Sequence, residues 1–197
     1  MERRVGSRPT CVRLARDCKI IHASLRLRTA RLEMIAATLP LVQAKIAGPA
    51  HLGELLSAEV ETWPPPLDDE NSPRWTFQKL QENPEMSGFF TWYVVLIQEG
   101  KRRLVGLAGV TGPPNQHGRI EVGYSVVEKF QKRGIGTEAS RALVQWAFEQ
   151  PAGQMVTAQT FPELGPSIKV MERCGMSFLG PARNRELFVT ELPGSNF

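Results

Sequence analysis

A chain of 197 residues is long enough to bury one sizeable core and too short for two comfortable domains. Its formal charge of +4 is unevenly spread: residues 1–28 hold eight Lys/Arg against two Asp/Glu, a net of +6, and the remainder holds 16 against 18, a net of −2, which argues against a nucleic-acid-binding domain. Three cysteines (Cys11, Cys18, Cys174) without paired spacing and three scattered histidines (His22, His51, His117) make neither a disulfide framework nor a metal site, and no apolar run approaches the ~18 residues of a membrane span. The resulting expectation is a cytoplasmic protein with no metal, no nucleic acid and no membrane partner, acting as a monomer or homodimer.

Residues 1–28 show no sustained period and read as a basic, flexible extension ahead of a domain at 29–197, although Lys19 to Leu27 allows a short strand or helical turn. The Arg-rich, acid-poor start also fits a transit peptide. Arg31 to Ile35 reads as a first strand, and Thr38 can cap a helix that tolerates Pro40 in its first turn and runs to about Ala47. A second short helix fits His51 to Glu59. Trp63-Pro64-Pro65-Pro66 then forbids helix and ladder alike, which makes 63–70 a loop, stiff at its front and acidic at Asp68-Asp69-Glu70. Ser72-Pro73 opens a third helix that Asn83-Pro84 ends.

From Thr91 the period changes. Trp92 to Gln98, a turn at Glu99-Gly100-Lys101, and Arg103 to Val110 predict a buried hairpin. After a loop at 112–118, Ile120 to Val127 alternates as a strand and Glu138 to Gln150 follows as an amphipathic helix, with Ala139, Ala142, Leu143, Trp146 and Ala147 as its core stripe. A strand at Met155 to Thr160, a helix at Ser167 to Cys174 and a last strand at Glu186 to Val189 complete an α/β mixed sheet with helices on both faces.

Between strand and helix lies Gln131-Lys132-Arg133-Gly134-Ile135-Gly136-Thr137. A glycine-bearing turn at the start of a helix leaves backbone N–H groups pointing outward at the positive end of the helix dipole, so the stretch can cradle a phosphate. A strand-to-helix turn whose glycines only relieve backbone strain fits as well. The P-loop pattern is absent, since no Gly-x-x-x-x-Gly-Lys-Ser/Thr run occurs. Gly134-x-Gly136-x-x-Ala139 satisfies a relaxed dinucleotide fingerprint, but the next strand ends in Gln159-Thr160 and lacks the acidic residue that would hold a ribose.

Gln131-x-x-Gly134-x-Gly136 also matches, position by position, the Gln/Arg-x-x-Gly-x-Gly/Ala loop of the GNAT family of N-acetyltransferases, where it holds the pyrophosphate of acetyl-CoA. Gly123-Tyr124-Ser125-Val126 and Thr137-Glu138-Ala139 resemble the flanking strand and helix of the branch that includes the ribosomal-protein N-terminal acetyltransferases. Residues 162–176 resemble that branch's second coenzyme motif, and Thr29-x-Arg31-Leu32-x-Met34 resembles its first strand. The resemblance implies a splayed central sheet with acetyl-CoA in the gap. Gln131, Lys132, Arg133, Gly134, Ile135, Gly136 and Thr137 would meet the pyrophosphate; Tyr124, Ser125 and Val126 would pair with pantetheine; Ser167 would contribute a hydroxyl.

Transfer to an amine needs the neutral amine, and roughly a quarter of an α-amine but about one lysine in a thousand is neutral near pH 7.4. Glu121, which matches the Glu before Gly-Tyr in this branch and shares a strand face with Gly123 and Ser125, is the candidate base; a solvated strand-end carboxylate is the plainer reading. Two positions depart from the family. Met171 stands where many members carry the Tyr that protonates the leaving thiolate, and Leu164 stands where the second motif has Asn. Cys174 reads as a small core residue because no His partners it. The expected activity is acetyl transfer from acetyl-CoA directly to an amine on a small molecule or protein N-terminus, with a catalytically silent acyl-CoA-binding module as the alternative. Asp68-Asp69-Glu70 beside the acceptor side favours a cationic amine, unless the loop is merely solvated.

Overall fold

Among the described residues eight strands join in one sheet, and five α-helices cover parts of its two faces. The computed structural model describes residues 24–66, 68–69, 71–182 and 185–191. In chain order the elements are β1 (Arg26–Arg28), β2 (Leu32–Ala36), α1 (Leu39–Ala47), α2 (Pro49–Leu56), α3 (Ser72–Glu82), β3 (Thr91–Gln98), β4 (Lys101–Val110), β5 (Arg119–Val126), α4 (Ile135–Phe148), β6 (Met155–Thr160), α5 (Gly165–Arg173), β7 (Ser177–Ala182) and β8 (Arg185–Glu191). The sheet order is β1-β2-β3-β4-β5-β6-β8-β7, and β5 with β6 forms the parallel pair among otherwise antiparallel neighbours. Among the described residues no helix is long and apolar enough to cross a membrane.

The expected elements are present, and two strands extend the reading: β7 is new, and β1 overlaps only the end of the Lys19 to Leu27 stretch that allowed a short strand. β7 carries Gly180 and Pro181, residues that suppress a strand signal, and it survives as an edge strand with a register shift between Phe178 and Gly180. The other strand, β1, pairs with β2 from Arg26↔Ile35 to Arg28↔Glu33. The domain boundary drawn at residue 28 therefore falls too late, since the sheet already includes Arg26; residues 1–23 lie outside the described residues.

Two of the N-terminal arginines have a structural task. The Glu33 side chain is 1% exposed and accepts hydrogen bonds from Arg26 Nη1 (3.1 Å), Arg28 Nη2 (3.1 Å) and Arg102 Nη2 (2.6 Å). Burial works to raise the Glu33 pKa, and the Arg102, Arg26 and Arg28 contacts overcome it, holding the carboxyl below its ordinary value. Removing residues 1–28 is accordingly expected to lower the melting temperature by roughly 5–10 °C, the effect of about 2–3 kcal/mol of charge-assisted hydrogen bonding. Removing only 1–23, which shows no periodic apolar face, should leave it unchanged. Equal falls for both truncations, read by calorimetry, would assign the effect to residues before β1.

The sheet separates two apolar layers. On one face α4 packs Ala139, Leu143, Trp146 and Ala147 against Val94, Val122 and Val156, with the Trp146 ring edge-on to Trp92 at 5.3 Å; Ala142 of the expected stripe is partly buried beside them. On the other face α1, α2 and α3 cover β2, β3 and β4 through Leu41, Leu52, Leu80, Tyr93 and Leu107. β5 sits at the border of the second layer, so its odd-numbered residues face a cleft beside α3 while its even-numbered residues face α4.

Candidate active site

The parallel pairing of β5 with β6 runs from Arg119↔Met155 to Val122↔Ala158 and stops, although β5 continues to Val126 and β6 to Thr160. Beyond that point β5 stays on β4 and β6 stays on β8, so the sheet opens as a V. Thr111 N donates to Glu121 O (3.1 Å) and Val127 N to Val105 O (2.9 Å), which fixes the phase of the strand. Alternation turns the backbone groups of Gly123 and Ser125 toward β4 and those of Tyr124 and Val126 into the gap. Gln131 Nε2 occupies the Val126 carbonyl at 2.9 Å, leaving the Tyr124 N–H and C=O facing the opening.

The chain then makes a tight turn in which Lys132 (φ 59°) and Gly134 (φ 79°) are left-handed, and α4 begins at Ile135. From Lys132 to Thr137 no backbone N–H has an acceptor among the described residues. Six free donors at a helix start are the arrangement a pyrophosphate needs. The two glycines act differently. Gly134 supplies the left-handed turn, whereas a Cβ on Gly136 would lie 2.7 Å from Tyr124 Cε2, so Gly136 is the floor on which the Tyr124 ring rests.

Glu138 ties this turn to the other end of the chain. Its Oε1 accepts from Thr29 Oγ1 (2.5 Å) and Arg31 N (3.0 Å), its Oε2 accepts from Arg31 Nη2 (2.7 Å), and Arg31 Nη2 also donates to Arg133 O (3.2 Å). Burial works to raise the Glu138 pKa, but the Thr29 and Arg31 hydrogen bonds hold it below the ordinary value, so the clamp is charged at neutral pH. Thr29 and Arg31 were legible only as the ends of a first strand; their role in bracing the cradle spans more than 100 residues of sequence.

A cavity of about 210 Å³ lies between α4, α5 and the open end of β6, lined by Tyr124, Gln159, Leu164, Ser167, Met171 and Cys174. Burial raises the Tyr124 phenol above its ordinary pKa while the neighbouring Ser167 side chain works in the opposite direction, so the phenol is protonated near neutrality. Burial pushes the Cys174 thiol up to about 11, with Arg141 opposing, which suits the core reading and not a nucleophile. A second cavity, about 490 Å³, lies across β5 beside α3, and its wall includes Asp69, Trp75, Phe90, Val110, Gly123 and Ser125. Gly123 and Tyr124 line both.

Ser125, assigned to the coenzyme, faces the second cavity and its Oγ donates to Pro66 O, because period two points it away from α4. Gln131 is engaged with the strand end and so braces the turn through its side chain. Asp68 is not free to attract a cation: Lys45 Nζ sits 2.8 Å from its Oδ1, both side chains nearly buried. Glu70 lies outside the described residues, which leaves Asp69. Glu121 lines neither cavity; its Oε2 accepts from Gln159 Nε2 (3.1 Å) and Arg119 Nη2 (3.3 Å), and Arg119 Nε in turn donates to Thr157 Oγ1 (3.0 Å).

The Acetyltransferase (GNAT) domain family matches residues 40–177. A curated relative, the uncharacterized N-acetyltransferase YjdG of Bacillus subtilis, is 27% identical over 96 residues, and the match spans 49% of this chain and 56% of that protein. The ribosomal-protein-S5-alanine acetyltransferase of Vibrio fischeri superposes with a TM-score of 0.60 at 16% identity, covering 86% of this chain and 98% of that one. The microcin C7 self immunity acetyltransferase MccE, solved with acetyl-CoA and AMP, superposes at 0.58 with 11% identity, covering 83% and 94%. At these identities the solved structures share the fold.

Proposed function

The chain belongs to the GNAT acetyltransferase family, and on that premise we propose that it transfers an acetyl group from acetyl-CoA directly to a cationic amine. The observation that carries this reading is the pair of cavities meeting at Gly123 and Tyr124, which lets donor and acceptor approach the open strand from opposite faces. The pyrophosphate lies on the free N–H groups of Lys132 to Thr137, flanked by the exposed Lys132 and Arg133 side chains. Pantetheine amides pair with the backbone of Tyr124 and Val126 as an added strand, and the Tyr124 N–H polarises the thioester carbonyl.

The neutral amine attacks the thioester carbon, the C–S bond breaks, and the thiolate takes a proton. Met171 cannot give one, whereas the Tyr124 phenol and Ser167 hydroxyl stand in the same cavity wall as proton-bearing groups. The proton lost by the amine passes through water to Glu121. The acyltransferase unit begins at the strand containing Arg26.

Leu164 and Met171 in the coenzyme cavity favour a second reading, a silent acyl-CoA-binding module. Calorimetry with acetyl-CoA, followed by free-thiol release across small amines and peptide N-termini, separates the two. Binding with release on any amine is the expected result. Binding without release on any acceptor selects the silent module, and no binding overturns both.

A further inference from the structure

The cavity beside α3 has a composition that the acidic loop alone does not suggest. Its wall is largely apolar: the Trp75 ring, 44% exposed, stands edge-on to the buried Phe90 at 5.2 Å, and Leu107 and Gly109 of β4 turn the α3 side of the strand toward it, while the Ala108 and Val110 side chains belong to the α4 layer. Of the carboxylates at its mouth, Asp68 is neutralised by Lys45. Asp69 accepts a hydrogen bond from Asn71 N at 3.0 Å and has no cationic partner among the described residues. The cavity thus offers one available described carboxylate above an aromatic and aliphatic wall, and it ends at Gly123, Tyr124 and Ser125, where the proposed transfer would bring the thioester.

We infer that the acceptor is an amphipathic primary amine, a single ammonium on an aromatic or branched apolar body. This rests on the acetyl transfer proposed above and names the substrate class of that site. The apolar body removes its own surface and that of the exposed Trp75 ring from water, a gain that scales with the area covered. One ammonium can meet Asp69 on entry and then lie beside the open strand as the neutral amine. A second or third ammonium, as in a polyamine, would enter the same apolar wall with no described carboxylate to compensate its lost hydration.

The test uses the full chain and three probes, 2-phenylethylamine, propylamine and spermidine, in a thiol-release assay with saturating acetyl-CoA. The expected kcat/KM for 2-phenylethylamine exceeds that for each of the other two at least tenfold. Trp75→Ala should remove that preference by raising KM for 2-phenylethylamine about tenfold, with acetyl-CoA affinity by calorimetry unchanged, and Trp75→Phe should restore most of it. Equal or better use of propylamine or spermidine, or a preference that survives Trp75→Ala, overturns the inference. If no probe is acetylated, saturation-transfer NMR of 2-phenylethylamine on the CoA-loaded protein decides: contact that is lost in Trp75→Ala sustains the cavity's assignment, and no contact overturns it. Failure of acetyl-CoA itself to bind instead removes the acetyl-transfer reading, a result calorimetry reports separately.

Discussion

Gly136→Ala is expected to lower acetyl-CoA affinity about 10- to 100-fold while the protein still melts cooperatively near its normal temperature. The added Cβ would stand 2.7 Å from Tyr124 Cε2 and 3.3 Å from two further ring atoms. Overpacking of this kind costs about 1–3 kcal/mol, and tenfold in affinity is about 1.4 kcal/mol. The Tyr124 ring can relieve the clash by turning into the cavity beside α5, where the proposed coenzyme site lies, so the cost is expected on binding more than on folding. Gly134→Ala acts by another route. At φ 79° it strains the turn itself, with nothing nearer its Cβ than Arg31 Nη2 at 3.6 Å, and a loss of roughly 5- to 30-fold is expected, consistent with the ~1–2 kcal/mol left-handed penalty. Combining Gly136→Ala with Tyr124→Leu should recover part of the affinity, because the shortened side chain frees the floor. Calorimetry showing unchanged acetyl-CoA binding in both single variants would place the coenzyme elsewhere.

How much of this site could be read from sequence follows from how local each contact is. The glycine turn was legible because strand, turn and helix start are consecutive, and their periods and punctuation sit within some 30 residues. The phase of β5 was legible as well: period two already sets Glu121, Gly123 and Ser125 on one face, and applying it to Ser125 itself would have sent that residue to the acceptor side. The Glu138 clamp and the Lys45–Asp68 pair were not legible, since each joins segments separated by 107 and 23 residues with no pattern that announces the partner. Lys45 matters most here, because a charge count along the loop reads three carboxylates where the fold has already spent one. β1 was half legible: Lys19 to Leu27 allowed a short strand, but the residues of β1 carry the signature of a charged tail, and it is the buried Glu33 opposite them that engages the exposed Arg26 and Arg28.

Glu121→Gln is expected to lower kcat/KM about 100-fold at pH 6.5, with the deficit shrinking to a few-fold near pH 9.5. A positioned base contributes on the order of 10²–10⁴ to proton transfer, and Glu121 is assigned the low end because it works through water. Two strand residues span about 7 Å, which is the separation from Glu121 to Gly123 along the face where the acceptor cavity ends. The carboxylate is aimed by Gln159, a residue that also lines the cavity beside α5, and by Arg119, itself braced on Thr157. The sign of the pH effect comes from the amine: at low pH nearly all of it is protonated and a base is needed, and as pH rises through the amine's own pKa a growing share arrives neutral and Glu121 becomes dispensable. Gln159→Leu should give a smaller loss with the same pH slope, since it frees the carboxylate without removing it. A deficit of equal size at pH 6.5 and 9.5 in Glu121→Gln would mean that Glu121 takes no proton and that its hydrogen bonds to Arg119 and Gln159 serve instead to hold β5 and β6 together where the V begins.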